Sequence, residues 1–289
     1  MLKNGDLTTV GILAQWVPNF PNVPPPVAQS LIQSCSVAIR SYLQRPVLLS
    51  RNYSRFFDGT GTGRIVIPEW PVTNIIGVQL GTVSIPSSPI PPKVNNSSFS
   101  LSAWGWRLAP WDGTIPGAAQ ILEFQGGDWW RGKLNLNIQY TAGYAILQEP
   151  AQVPAVGPFT VTVQQPIGIC AADNGVSYLN GPLLTPVVAT PGAGQYIPPV
   201  DAFPGVYTFS AADANQQLQV SYSFVPADLT EACNQFVGER YSYRSRVGDR
   251  SKSLGGQETM TYRLGMPEEV LCFLYPYKSV LPPAIGGAV

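Results

Sequence analysis

The stretch RFFDGTGTGRIVIPEWPV, residues 55–72, sets Gly59, Gly61 and Gly63 just before Arg64. Closely spaced glycines beside a cation suit a phosphate-cradling loop, because backbone N–H groups must reach the anion unobstructed. The context argues against one. A Walker loop ends in Gly-Lys-Ser/Thr and opens a helix, whereas Arg64 leads into the apolar run IVIP with no helical period after it. Asp58-Gly59 between two apolar runs is a hairpin signal, and predicts a turn joining SRNYSRFF to RIVIPEWPV.

Other reactive groupings are sparse. The chain contains no histidine, which removes the commonest metal ligand and general base and excludes Ser–His and Cys–His nucleophiles. Cys35, Cys170, Cys233 and Cys272 show no C-x-x-C spacing. Three of them fall on apolar faces of the helices expected below, and they read as buried free thiols in a reducing compartment. Trp104, Trp106, Trp111, Trp129 and Trp130, with Asp112 and Asp128 nearby, have the make-up of a sugar-stacking platform with a carboxylate pair for glycoside cleavage. The same indoles suit an aromatic core and a subunit interface. AADNGV and GGDW lack the ligand count of a calcium loop and read as turns. No catalytic, cofactor-binding or metal-binding residue is assigned, and the chain is expected not to be an enzyme.

Charge is balanced overall but unevenly spread. No Lys or Arg occurs from Leu134 to Glu239, a run that carries Glu149, Asp173, Asp201, Asp213, Asp228, Glu231 and Glu239. Arg240, Arg244, Arg246, Arg250 and Lys252 follow at once. Phosphate attraction needs no base-specific geometry, so this cluster suits DNA or an acidic protein surface. A solvated helix end favoured by the helix dipole, or pairs with acids of a neighbouring copy, accounts for the same charges. Arg240 and Arg244 share a helical face and Arg246 points elsewhere.

Composition bounds the elements that position these residues. Hydrophobic residues make up 45% of the 289, and charged residues 12%, against about a quarter in an ordinary globular chain. With 28 glycines, 29 prolines and few charges, the chain reads as β-rich and as part of an assembly whose patches are covered by partners. MLKNGDLTTV has no apolar core of a signal peptide, and no apolar run reaches membrane-span length.

Periodicity predicts a short helix over Asp6 to Trp16, capped by Asp6 or Thr8. A long amphipathic helix is expected near 26–45, with Val27, Leu31, Cys35, Ala38, Ile39, Tyr42 and Leu43 as its stripe. From 47 to 148 the period changes to two, with strands RIVI, IIGVQL, ILEF and KLNLNIQY. In the last, Leu134, Leu136, Ile138 and Tyr140 form the buried face. Residues 149–224 read as a small all-β module with strands FTVTVQ, VYTF and QLQVSYSF. The helical period returns near 226–246, with Leu229, Cys233, Phe236, Val237 and Tyr241 as stripe, and again near 267–275. VGDRSKSLGGQE between them is a mobile loop by composition, and SVLPPAIGGAV an extended arm. The expected class is α+β: a small helical core with a β-hairpin/antiparallel region and an inserted all-β module. Its divisions are 1–46, 47–148, 149–224, 225–277 and an arm over 278–289.

In this order, LIQSCSVAIRSYLQRPV, FFDGTGTGRIVIPEWPVTNIIGVQL, LNIQYTAGY, VPADLTEACNQFVGERY and MPEEVLCFLYPYK resemble the head–tail adaptor (head completion, gp6-like connector) proteins of tailed bacteriophages. The resemblance covers residues 1–148 and 225–282. In that family the TAGY strand runs almost directly into the VPADL helix, whereas here Tyr144 and Val225 are 80 residues of insert apart. The insert itself resembles small β modules appended to phage structural proteins. The resemblance implies a dodecameric ring under the portal vertex, extending the DNA channel and offering a platform to the tail or to a second connector (stopper or nozzle) protein. It implies contact with packaged double-stranded DNA without sequence specificity, no cofactor and no membrane. The expected location is the virion neck, after assembly in the host bacterial cytoplasm. Under it, Arg240, Arg244, Arg246, Arg250 and Lys252 face the DNA channel or portal. Tyr275, Tyr277, Lys278, Val280, Leu281 and Ile285 belong to an arm that docks on the portal or a neighbouring subunit, or stays disordered without one. Another neck or tail component, or a glycan-binding virion β protein, is the alternative.

Overall fold

The computed structural model of the chain describes residues 2, 5–17, 20–88, 104–109, 120–163, 168–200, 204–244, 251–254, 258–261 and 265–279. It is a mixed α+β protein with mostly antiparallel sheets. The chain divides into one unit built from Met1–Leu48 and Tyr144–Lys278 and another from Leu49–Gly143.

The first unit opens with α1 (Val10–Trp16), which starts later than expected. Its cap is Thr9, whose side chain accepts from the Ile12 N–H at 3.3 Å. Asp6 and Thr8 are instead buried polar groups that tie the chain's first segment down. Thr8 Oγ1 donates to Asn234 Oδ1 at 2.7 Å, Gln29 Nε2 to Asp6 Oδ2 at 2.6 Å, and the Leu7 N–H to Ser36 Oγ at 3.1 Å. α2 (Pro25–Leu43) begins at prolines, which lose no bond there because the first turn's N–H groups have no helical partner. It stops at Gln44, in the left-handed region at φ 55°. Its buried stripe is Ala28, Ile32, Cys35, Ser36, Ile39 and Leu43, with Val27 outside it.

The second unit holds β1 (Arg51–Gly59), β2 (Arg64–Val66), β3 (Val72–Leu80), β4 (Val83–Ile85), β5 (Gly105–Ala109), β6 (Ile121–Gln125) and β7 (Gly132–Ala142). The expected hairpin across the glycine stretch does not form. β1 pairs with β7, in a sheet of order β1-β7-β3-β4, and β2 pairs with β6, in a sheet of order β2-β6-β5. The glycine stretch is thus a crossing from one sheet to another, and a local turn signal cannot distinguish the two. Both sheets turn apolar residues inward around Ile67, Val78, Leu122, Trp129, Leu136, Ile138 and Tyr140.

Back in the first unit, β8 (Ala145–Gln152), β9 (Thr160–Thr162), β10 (Gly168–Tyr178), β11 (Thr185–Pro186), β12 (Gln195–Ile197), β13 (Val206–Phe209) and β14 (Gln217–Pro226) form two sheets. Their orders are β10-β14-β8 and β11-β12-β13-β9, antiparallel except for β11 with β12. Val161, Tyr196, Tyr207, Phe209, Val220 and Tyr222 fill the space they share. Tyrosines suit such a small core because each hydroxyl reaches a carboxylate at its margin. Tyr196 and Tyr207 donate to Asp173 at 2.6 and 3.1 Å, and Tyr222 to Glu149 at 2.5 Å.

β14 runs straight into α3 (Ala227–Tyr243) through Pro226, which keeps helical φ without needing its N–H. α3 packs on α2, on β10 and on β14. It buries Cys233 together with Leu229, Phe236 and Val237, the last three each contributing about 1.5–3 kcal/mol on the usual scale for a fully buried apolar side chain. The stretch expected to be a mobile loop contains β15 (Ser251–Leu254), which pairs with β16 (Glu258–Thr261) starting at the stretch's last residue. α4 (Glu268–Leu274) packs on α3 and passes into a 3-10 turn at Tyr275–Tyr277.

Candidate functional site

Of the basic cluster, the structure brings Arg240 and Arg244 together. Both are exposed, one turn apart at the C-terminal end of α3, opposite Asp228 in its first turn, the order of charge that the helix dipole favours. The Arg240 guanidinium lies 5.1 Å from the centre of the Phe236 ring. Arg246 and Arg250 lie outside the described residues, and Lys252 is a backbone position of β15.

The expected docking arm begins later than its sequence suggests. Tyr275 is 76% exposed, but Tyr277 is 1% exposed and belongs to the chain's own core. Its hydroxyl donates to Asp228 Oδ2 at 3.1 Å. Its ring stands edge-on to Tyr144 at 6.1 Å, and Tyr144 meets Phe224 at 5.8 Å. Arg45, itself buried, lies 5.3 Å over the Tyr144 ring and donates to its hydroxyl at 3.3 Å. This node joins the end of α2, the starts of β8 and α3, and the turn after α4. Burial pushes the Tyr277 hydroxyl well above the ordinary tyrosine range, and the Asp228 carboxylate adds to it. Lys278 sits 4.9 Å over the Tyr42 ring. Val280, Leu281 and Ile285 lie outside the described residues.

The glycine stretch is built for close backbone approach. A Cβ on Gly59 would stand 1.7 Å from the Trp130 carbonyl oxygen, and Gly61 is left-handed at φ +71°. The Gly61 N–H donates to the Trp129 carbonyl at 2.7 Å, and the Trp129 N–H to that of Thr62 at 3.0 Å. Arg64 is already engaged: its Nε meets Glu123 Oε1 at 3.0 Å, while Arg107 takes the other oxygen at 2.6 Å. An open cleft of about 550 Å³ is lined by Thr62, Gly63, Arg64, Glu123, Phe124 and Gln125.

The tryptophans do not gather into a platform. Trp129 is buried and stacked on Phe124 at 4.7 Å, and Trp104 meets the same ring edge-on at 5.8 Å. Trp106 packs partly buried against the same core, and Trp111 and Asp112 lie outside the described residues.

Trp130 alone among the described indoles of this unit is mostly free, at 67% exposed, and Leu134 beside it is 65% exposed. Leu134 was expected on the buried face of its strand. It lies instead in a bulge between β1 and β7, left-handed at φ 49°. Side chains hold the bulge: the Leu134 N–H donates to Asp58 Oδ1 at 2.7 Å, the Gly59 N–H to Asn135 Oδ1 at 2.7 Å, and Asn135 Nδ2 to the Trp130 carbonyl at 2.7 Å. The signal was present in Asp58 and Asn135, residues that bond neighbouring backbone and break strands.

Cys35, Cys170 and Cys233 are buried, and burial pushes their thiols up to about 11, 11 and 12. Cys272, expected to be buried too, is exposed, because α4 turns Val270 and Leu274 inward instead. Among the described residues no three His, Cys, Asp or Glu side chains gather as metal ligands, and no helix is long and apolar enough to cross a membrane. Comparison with protein-family models and with curated proteins gives no match to this chain.

Proposed function

We propose that the chain is a head–tail adaptor of a tailed bacteriophage: a small helical core carrying a β region and an inserted all-β module, assembled into a dodecameric ring beneath the portal. The ring extends the DNA channel and presents a platform to the tail or to a second connector. The observation that carries this reading is the coming together of segments far apart in sequence. α2, α3 and α4 pack in series, and Ser36 of α2 and Asn234 of α3 both bond the segment before α1. These are the segments that resemble the adaptor family, and they pack although β1–β14 separate α2 from α3. Arg240 and Arg244 are exposed on one face and serve as non-specific contacts to DNA phosphates or to an acidic portal surface.

The test is to mix purified protein with assembled portal rings of its virus and image the particles by negative-stain electron microscopy. An added ring beneath the portal is expected. Bare portal rings at low and high salt, with the rings intact, would overturn the reading and move the chain to another neck or tail position.

A further inference from the structure

We propose that the outward face of the sheet β1-β7-β3-β4 is a binding surface for an uncharged oligosaccharide, centred on a dip over Gly77. The ladder registers put three rows of side chains on this face. Asn52, Thr141 and Asn74 make the first row, and Ser54, Gln139 and Gly77 the second. Phe56, Asn137, Gln79 and Ser84 make the third. Ile76 joins them from the bulge between Ile75 and Gly77 and is 54% exposed. The alternate positions, Tyr53, Tyr140 and Ile75, face the core. Every residue of the three rows is exposed or half-buried, and none is charged. Asp58, next outward along β1, is taken up by the bulge, where it accepts from the Leu134 N–H. Ordinary surfaces carry charge at about a quarter to a third of their positions. The second sheet of the same unit does so, since Arg64, Glu123 and Arg107 form one row of its outward face.

The missing charge selects the occupant. Nucleic acid would call for cations on this face. The centre of a protein interface is rich in aromatic and aliphatic side chains, whereas here Phe56 and Ile76 stand among eight amides and hydroxyls, each of which would need its own partner once dry. Sugar hydroxyls both donate and accept, as amides do, and satisfy such groups without any charge. The Thr141 hydroxyl donates to Asn52 Oδ1 at 2.7 Å and the Ser54 hydroxyl to Asn137 Oδ1 at 3.5 Å, bonds that engage the oxygen of each amide and not its N–H groups. A glycine within a strand marks a place where another molecule or backbone comes close. A Cβ on Gly77 would meet nothing within 4 Å, so the space above it is open. Gln139 stands beside this dip across the ladder, Asn74 and Gln79 flank it along β3, and Ile76 forms its rim. The dip admits the edge of a sugar ring, and Phe56, two strands away, offers an aromatic surface to the C–H face of a further ring. Strand spacing and the two-residue repeat make the face about 14 Å each way, room for a short chain of sugars rather than one. The adaptor reading calls on none of these residues, so each can fail without the other.

Saturation-transfer NMR on the whole chain tests it with three uncharged probes: cellotetraose, laminaritetraose and chitotetraose. At least one should bind with a Kd of about 1 mM or tighter, and equally at low and high salt, because no charge takes part. Gly77→Val fills the dip and Gln139→Ala removes the amide beside it. Each should keep the wild-type Tm and weaken binding by about tenfold, the worth of one lost hydrogen bond or blocked approach. Val66→Ser, on the outward face of the second sheet, should bind as the wild type does. No binding of any of the three probes at about 1 mM overturns the proposal. So does binding that falls as salt rises, or binding that both Gly77→Val and Gln139→Ala leave intact. Dimers that form without sugar and are lost in Gly77→Val overturn it in favour of a second copy on this face.

Discussion

Replacing Tyr277 separates a core residue from a docking arm. The ring is 1% exposed, edge-on to Tyr144, and its hydroxyl reaches Asp228. Tyr277→Ala removes a fully buried aromatic side chain, which costs about 3–5 kcal/mol. Tyr277→Phe keeps the packing and loses one hydrogen bond to a carboxylate. That bond is worth about 1 kcal/mol here, the value of an ordinary hydrogen bond and below that of one to a buried charge, because Asp228 is exposed. With a urea dependence of about 3 kcal/mol per molar, the midpoint falls by about 1–1.7 M for alanine and about 0.3 M for phenylalanine. Urea titrations followed by circular dichroism at the helical band read both. Asp228→Ala supplies the cross-check. Alone it loses the tyrosine bond and the favourable charge in the first turn of α3; in the Tyr277→Phe background it loses only the second, so the two changes should be less than additive. If Tyr277→Ala unfolds at the wild-type midpoint, the ring is not in the chain's core and the node around Tyr144 is wrong.

Thiol counting gives a second expectation: one of the four cysteines, Cys272, reacts promptly with Ellman's reagent at pH 8, and the other three only on unfolding. The same burial predicts loss of stability in alkali. Cys35, Cys170 and Cys233 titrate near 11–12 when folded against an ordinary 9. The folded chain therefore holds more protons between those values, and stability that is complete below pH 9 drains away as pH rises to about 12, as thermal melts across that range would record. Gly59→Ala places a methyl against the Trp130 carbonyl and should lower Tm by about 4–10 °C. Gly77→Ala, which meets nothing within 4 Å, should leave Tm unchanged, and equal melting of the two variants would refute the close approach.

The helices were legible because their signals are local. Pro25, Pro26 and Pro226 mark starts, and the 3–4 spacing of Cys35, Ile39 and Leu43 marks a buried side. The strands were legible one at a time, since Leu136, Ile138 and Tyr140 alternate as the pleat demands. Their partners were not. Nothing local in DGTGTGR says that β1 pairs with β7 rather than with β2, because pairing is decided by side chains 76 residues away, such as Asn135 on the Gly59 N–H. The bulge at Leu134 escaped for the same reason: its alternation is intact in sequence and broken by Asp58 across the ladder. Of the proposed contacts, the two arginines of α3 could be paired from spacing alone. Tyr277 could not be assigned to the core, because YPY reads as a helix stop and its partners Tyr144 and Asp228 come from distant segments.

The strands that lead into and out of the β8–β14 module are rungs of one ladder: Ala145 faces Ser223, and the Phe224 N–H donates to the Tyr144 carbonyl at 3.1 Å. The two cut points of a deletion therefore already touch. A chain spliced from Tyr144 to Phe224 through a short turn would span a distance the intact chain holds closed by a hydrogen bond. Closing that doorway is therefore the easy half of a deletion; the harder half is α3, which rests on β10 and β14 and would need a new cover for the side it buries there.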